Sequence, residues 1–473
     1  MEKKNCEDLC QWHNSCVLLR RAIYLSEYKE AGVMRKQPDT LKYGLEDVVP
    51  RQELPLYTLQ HIVYFAAGII VLPIAVGLYL GLSQGEIAEF LQRTFFLCGV
   101  VTLLQLSFGH RYPIIDGPAG LWASMLIVMC LVVSEMGDSL GELRRDLQLG
   151  ILIAGGLVAL LAASGLIVKI SKLFTPIVNG VIILLMVLQM SETFIRGALG
   201  VTDESPAMDP KQMLVFLVTI VAILVIAVYA KGFLQSIATL LGVAAGWVLA
   251  VLMGLSEHRP AMDQIFSIPR VWAFGTPSFD PGVTITCVIG ALVLLSMSFA
   301  SLNSMAEAVG ETVTDRRLSK TVLFHGIATI LTGIFAVIPF MPFVSSTGVV
   351  LMTGVAARKP FRIACVCMIV FGIFSPVAAF LSSMPSTVAY AASTVVFSLI
   401  LGQGLKEFQK VRLTNRESYI IGISMISGMG VMFLPDQAFS ALPETVHFIA
   451  SNGLVTGTIL AMALEQIFRK KEA

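Results

Sequence analysis

Charged side chains are scarce in this 473-residue chain. Asp, Glu, Lys and Arg make up 14% of it, against roughly 25% in an ordinary soluble domain. With 56% apolar residues and a mean hydropathy of +0.79, that scarcity excludes a water-soluble globule and marks a polytopic membrane protein whose first partner is lipid. An excess of either charge is missing too: the net charge of +1 offers no basic surface to nucleic acid. Cysteine is sparse and scattered. The nearest grouping, Cys6, Cys10 and Cys16 around His13, lacks zinc-type spacing, so it reads as free thiols and no metal is assigned. The first 53 residues contain no apolar h-region, which argues against a signal peptide and for a polar cytosolic tail over 1–53. Neither a glycine-rich phosphate loop after a strand nor a nucleophile–base pair in an aqueous loop is present, so the chain reads as no enzyme and implies no cofactor.

What the chain has in abundance is long uncharged runs. Seven lie between 54 and 256 and seven more between 281 and 464, each long enough for a membrane helix or a broken one. Lys and Arg placement tests the arrangement independently. With the N-terminus inside, 26 of the 33 Lys and Arg fall on the cytosolic side, which fits 14 spans with both ends in the cytosol and a plasma (inner) membrane location. An odd number of spans per half inserts the second half upside down relative to the first, the geometry of an inverted repeat. The predicted fold is thus all-α, seven plus seven.

Two runs are interrupted by Pro and Gly at matching places, Tyr112–Gly120 (YPIIDGPAG) and Ile338–Gly348 (IPFMPFVSSTG). Unpaired peptide groups cost several kcal/mol in lipid, so such backbone survives only where protein or a cavity surrounds it. Broken third and tenth spans facing each other would aim bare amides and helix N-termini at one solute, at Ala119 and Gly120 on one side and Ser345, Ser346, Thr347 and Gly348 on the other. Ser345 to Thr347 also stand where an N-cap hydroxyl belongs. Phe343 would stack on a flat ligand or fill core.

Acidic residues inside such runs are costly and point to function. Glu307 follows 26 uncharged residues and is expected deep in the bilayer; Glu311, four residues on, is expected on the same helical face. A carboxylate pair of this kind suits a proton carrier. His325 opens the next span within reach of either acid, and Gln60 with His61 offers donors and acceptors near the start of the first.

These residues resemble the nucleobase/ascorbate transporter family, which includes bacterial uracil, xanthine and uric acid permeases, over about 55–465. Gln60-His61 is similar to the family's Gln-His, and 109–117 (GHRYPIIDG) to its Gly-x-Arg-x-Pro-Ile-x-x-Gly. Residues 174–180 (FTPIVNG) resemble its Pro-x-Val-x-Gly, and 307–311 (EAVGE) its Glu-x-x-Gly-Asp. The resemblance implies a core domain of 54–168 and 281–381, a gate domain of 173–256 and 385–467, a short cytosolic end at 468–473, and a homodimer. It further implies that Glu307 accepts ring N–H groups of a nucleobase while H+, or Na+ in its place, drives uptake. Where the family carries Glu or Gln followed by Asn before the tenth-span glycine, this chain has Ser345-Ser346-Thr347-Gly348, which empties that edge of the pocket and favours a purine over uracil or another pyrimidine. Asp116 replaces a common Gln as an added acceptor or proton site. An anion carrier or channel of the sulfate-permease kind shares the architecture and is the competing expectation, with Glu307 set against it by charge.

Overall fold

Helix starts in this chain are written locally. Asp209 and Asp280 each accept the amide two or three residues ahead (Lys211, 2.9 Å; Val283, 2.6 Å) and are followed by Pro at the first helical position; Thr175 does the same for Val178. Such caps satisfy amides a helix leaves unpaired, and Pro there forfeits no bond. Ser83 with Glu86 forms a reciprocal capping box.

The computed structural model describes residues 41–167, 173–201, 207–231, 233–255, 264–439, 441–442 and 450–468; Cys6, Cys10, Cys16, His13 and the 469–473 end lie outside these. The first half comprises α1 (Leu54–Ile69), α2 (Val71–Tyr79), α3 (Gln84–Ser107), β1 (Asp116–Pro118), α4 (Gly120–Met136), α5 (Leu140–Ala163), α6 (Pro176–Leu199), α7 (Pro210–Tyr229), α8 (Phe233–Ser236) and α9 (Ala238–Leu252). The second comprises α10 (Pro281–Ala308), α11 (Asp315–Ile334), β2 (Phe340–Pro342), α12 (Ser345–Thr353), α13 (Arg358–Ile373), α14 (Ser375–Ser382), α15 (Ser386–Gln409), α16 (Asn415–Met432) and α17 (Gly453–Ile467). The protein is mostly helical. Among the described residues seven helices are long and apolar enough to cross a membrane: α1–α2 taken together, α3, α5, α6, α7, α10 and α15; α4, α9 and α17 are shorter apolar helices.

Packing pairs elements of one half with elements of the other. α5 lies against α11 and α3 against α13, α6 runs along α15, and within each half α7 packs on α9 and α16 on α17. Glycine allows the closest of these contacts, as small residues do wherever lipid removes the hydrophobic drive between helices. A side chain at Gly326 of α11 would begin 2.5 Å from the Ala159 backbone nitrogen of α5, and one at Gly155 of α5 would begin 2.7 Å from that of Ile330.

Residues 41–53, expected only as part of a polar tail, instead fold back as a strap. The Tyr43 amide donates to the Gly354 carbonyl (3.0 Å), the Ala356 amide to the Tyr43 carbonyl (2.8 Å), and Val49 is buried against Val355 and Ala357. Arg358 pairs with Glu46 and donates Nε to the Arg111 carbonyl at 2.7 Å, so the strap ties the chain after α12 to the segment ahead of β1. The strap ends at Glu53, which accepts from Lys42 Nζ (2.7 Å), Tyr57 Oη (3.1 Å) and Tyr43 Oη (3.2 Å). The Lys42 ammonium holds the Glu53 carboxyl below the usual carboxylate range. A carboxyl that ionises at lower pH when folded contributes its contact fully above the ordinary value, about 4.3, and loses it as pH falls through the folded value. Glu53→Gln is therefore expected to lower the hydrogen-exchange protection factors of the Tyr43 and Ala356 amides at neutral pH, as protonation of Glu53 at low pH does in the unchanged chain. Equal exchange in both proteins would remove Glu53 from the latch.

Candidate substrate site

The two Pro/Gly segments meet. β1 and β2 pair antiparallel, with Asp116 opposite Pro342, Gly117 opposite Met341 and Pro118 opposite Phe340. The pairing is extended on both sides by the Phe343 amide to the Ile115 carbonyl (2.7 Å) and the Ala119 amide to the Pro339 carbonyl (3.0 Å). Each approach passes through a non-glycine residue in the left-handed region, Arg111 at φ 63° and Ala336 at φ 51°, a conformation that surrounding structure must hold in place. The junction thereby satisfies the backbone the prolines free. It also sets the N-terminus of α4 at one end and that of α12 at the other, two positive dipole ends at one short sheet.

Ser346 caps the neighbouring strand rather than its own helix: its Oγ accepts the Ile115 amide at 3.1 Å, while Val344 occupies the N-cap position of α12 without a side-chain bond. The expected N-cap hydroxyl is thus used to clamp the junction. The amides of Ser346 and Thr347 close short turns onto the Phe343 and Val344 carbonyls, both at 3.1 Å. Ser345 and Gly348 are exposed, with open space where a Gly348 side chain would stand, and Thr347 is buried with its hydroxyl unpartnered. The Tyr64 phenol of α1 reaches the hydroxyls of Ser345 and Ser346. Phe343 is half-buried, its ring lying where side chains of Gly68 and Gly117 would be, 2.8 and 2.7 Å from those positions. Ala119 and Gly120 are buried, and the Phe397 ring of α15 stands 2.8 Å from where a Gly120 side chain would begin. Phe194 meets Phe397 edge-on at 4.8 Å. The start of α4 is thus covered by the Phe397 ring, while the start of α12 exposes Ser345 and Gly348.

The two acids part company. α10 ends at Ala308, Gly310 turns left-handed at φ 74°, and the Glu311 amide closes back on the Ala306 carbonyl at 2.8 Å, a glycine C-cap that ends the shared helical face. Glu307 stays in the last turn of α10, exposed on one face with Asn303. Glu311 leaves to accept from Tyr112 Oη (2.8 Å) and to pair with Arg317. His325 is buried in α11 with Nδ1 unpartnered, and no hydrogen bond joins it to either acid among the described residues. Gln60 and His61 are buried in α1, and the His61 ring lies edge-on to Phe361 of α13 at 5.1 Å. Asp116 is buried in β1, its carbonyl receiving Cys98 Sγ at 2.8 Å and its amide donating to Thr102 Oγ1 at 3.0 Å.

Sequence reasoning passed over Tyr64, His110, Tyr112 and Arg317. Tyr64 lies one turn after Gln60 in a run read for its amide and imidazole alone. Tyr112 and Arg317 are 205 residues apart, and only the return of the chain to the same end of the bundle joins them.

A family model described as "Permease family" matches residues 52–437. The chain is 30% identical over 432 residues to YwdJ of Bacillus subtilis (strain 168), spanning 89% of this chain and 98% of that protein. It is 27% identical to the uric acid permease PucK of the same organism, over 89% and 96% of the two chains. It is 29% identical to the uric acid transporter UacT of Escherichia coli (strain K12), over 88% and 86%. Among solved structures, the transmembrane domain of the cyanobacterium bicarbonate transporter BicA is similar with a TM-score of 0.57 at 14% identity, over 86% of this chain and 99% of that one. SLC26A9 is similar with a TM-score of 0.61 at 12% identity, over 90% and 67%. At these identities the likeness is one of fold.

Proposed function

The chain belongs to the Permease family, and from that premise we propose that it is a secondary active importer of a nucleobase, a purine in preference to a pyrimidine, driven by proton symport. The observation that carries the reading is the β1–β2 junction with α4 and α12 springing from it, because two helix N-termini at one place supply amides and positive potential to an acceptor-rich ring. The names of the related uric acid proteins supply the substrate class. Small hydroxyls at Ser345 and Ser346, with open space at Gly348, leave room for a bicyclic base, while Phe343 gives it a flat wall. In this reading Glu307 receives ring N–H groups, Gln60, His61, Thr347, Ala119 and Gly120 shape the surround, and Glu311, His325 and Asp116 belong to proton coupling.

The matched packing of α5 on α11 and α3 on α13 supports 14 spans in a 7+7 inverted repeat, with the third and tenth broken at β1 and β2. In this reading a core of 54–168 and 281–381 rocks against a gate of 173–256 and 385–467, in a plasma-membrane homodimer with both termini cytosolic, as the family resemblance implies. An anion carrier is the second reading, favoured by the fold shared with a bicarbonate transporter. Purified protein in liposomes decides between them. Under an inward proton gradient, labelled uric acid, xanthine or adenine is expected to accumulate and to exceed uracil, and bicarbonate and sulfate are expected to stay outside. Anion flux without purine uptake would overturn the reading.

A further inference from the structure

We propose that His110 and Asp116 form an occluded proton site behind β1, distinct from the acid that faces the substrate; this rests on the symport reading above. His110 is 0% and Asp116 1% exposed, with Nε2 of one 3.7 Å from Oδ2 of the other. Neither atom has a hydrogen-bond partner among the described residues, although buried polar atoms in folded proteins are nearly always satisfied. The far side of the ring fixes its tautomer. His110 Nδ1 accepts the Tyr112 amide at 3.0 Å, so it carries no hydrogen, and the neutral ring holds its hydrogen on Nε2, aimed at the carboxyl. An imidazolium would set a second N–H against the Tyr112 amide. The exchangeable proton therefore belongs to Asp116, and His110 is a fixed donor waiting for the carboxylate.

The other groups around the pair are engaged elsewhere: Tyr112, stacked on the His110 ring at 6.2 Å, gives its hydroxyl to Glu311 and receives Arg317. α3 brings Cys98, whose thiol is already given to the Asp116 carbonyl, and α13 brings the Cys365 thiol. β2 carries no titratable residue. From α1, His61 is turned to Phe361 and Tyr64 to the two serines. The step balances simply: the Asp116 O–H bond breaks, the proton passes to water on the side then open, and the carboxylate left behind draws the Nε2–H into a hydrogen bond of about 2.8 Å. Closing the gap pulls on β1, which is preceded by Ile115, whose amide donates to the Ser346 hydroxyl, and followed by the residues that open α4. Protonation is in this way relayed to both helix mouths.

Infrared difference spectra of the purified protein, taken as pH is stepped through neutrality, test the site without any substrate. A carboxylic acid band is expected that vanishes in Asp116→Asn and shifts in His110→Gln. If the titrating bands of wild type and Asp116→Asn coincide, the site is overturned. In liposomes Asp116→Asn is expected to convert gradient-driven accumulation into exchange alone, with a flat pH profile; accumulation with an unaltered profile would also overturn the proposal. Absence of purine uptake by the wild type would count against the symport reading, and the infrared titration would still decide the site.

Discussion

Glu307→Gln is expected to cost about tenfold to 150-fold in purine affinity, the equivalent of the roughly 1.5–3 kcal/mol carried by a hydrogen bond to a charged group. The substitution keeps the size of the side chain and one acceptor oxygen, so the change isolates the charge. Because Glu307 is exposed on α10 and its backbone ends the helix through Gly310, its removal should leave thermal stability untouched. Glu311→Gln should behave in the opposite way. That side chain holds Tyr112 and Arg317 together, and stripping its charge leaves a guanidinium without its partner, lowering stability more than affinity. Isothermal titration with uric acid or xanthine alongside a melting curve separates the two outcomes. Unaltered affinity in Glu307→Gln would remove this acid from substrate recognition.

The second large effect is structural. Gly326→Leu is expected to prevent α11 from docking on α5, because its first side-chain carbon would fall 2.5 Å from the Ala159 nitrogen and 2.9 Å from the Ala159 Cα and Cβ. Backbone cannot yield as a flexible side chain does. Overpacking of a well-filled interface costs about 1–3 kcal/mol, and here there is no slack on the facing helix either, since a side chain at Gly155 would begin 2.9 Å from the Gly326 carbonyl oxygen. Gly156→Leu is the control: adjacent in sequence, it points into open space. Size-exclusion profiles of detergent-extracted protein should show Gly326→Leu aggregated and Gly156→Leu monodisperse; two equal profiles would refute close packing as the role of this glycine.

The parts of this architecture that were legible in the sequence are those that local chemistry dictates. Long uncharged runs announce membrane helices because lipid tolerates little else, and the Pro/Gly segments announce freed backbone because no helix can absorb it. The matched positions implied that the two segments face each other; that they pair as the strands β1 and β2 was not legible, because Thr102, Cys98 and Ser346 also serve this backbone. The failures came where one residue redirects the chain. Counting four residues from Glu307 to Glu311 implied a common face, yet the intervening Gly310 is a C-cap and was itself the signal that the helix stops. His110 and Asp116 are six residues apart in a non-helical stretch, and only the left-handed turn at Arg111 brings them together. The strap at 41–53 was hidden because several of its bonds to 354–358 are backbone contacts, which leave no side-chain pattern, and its ion pair joins Glu46 to an Arg358 far along the chain.

The unequal treatment of the two helix mouths has a kinetic consequence. The Phe397 ring of α15 covers the start of α4 at Gly120, while Ser345 and Gly348 at the start of α12 are exposed, so in the proposed importer cargo that reaches α12 first meets half of the proposed binding surface. On that reading capture and release are separate events, and turnover would follow how often the Phe397 ring, met edge-on by Phe194, moves off Gly120.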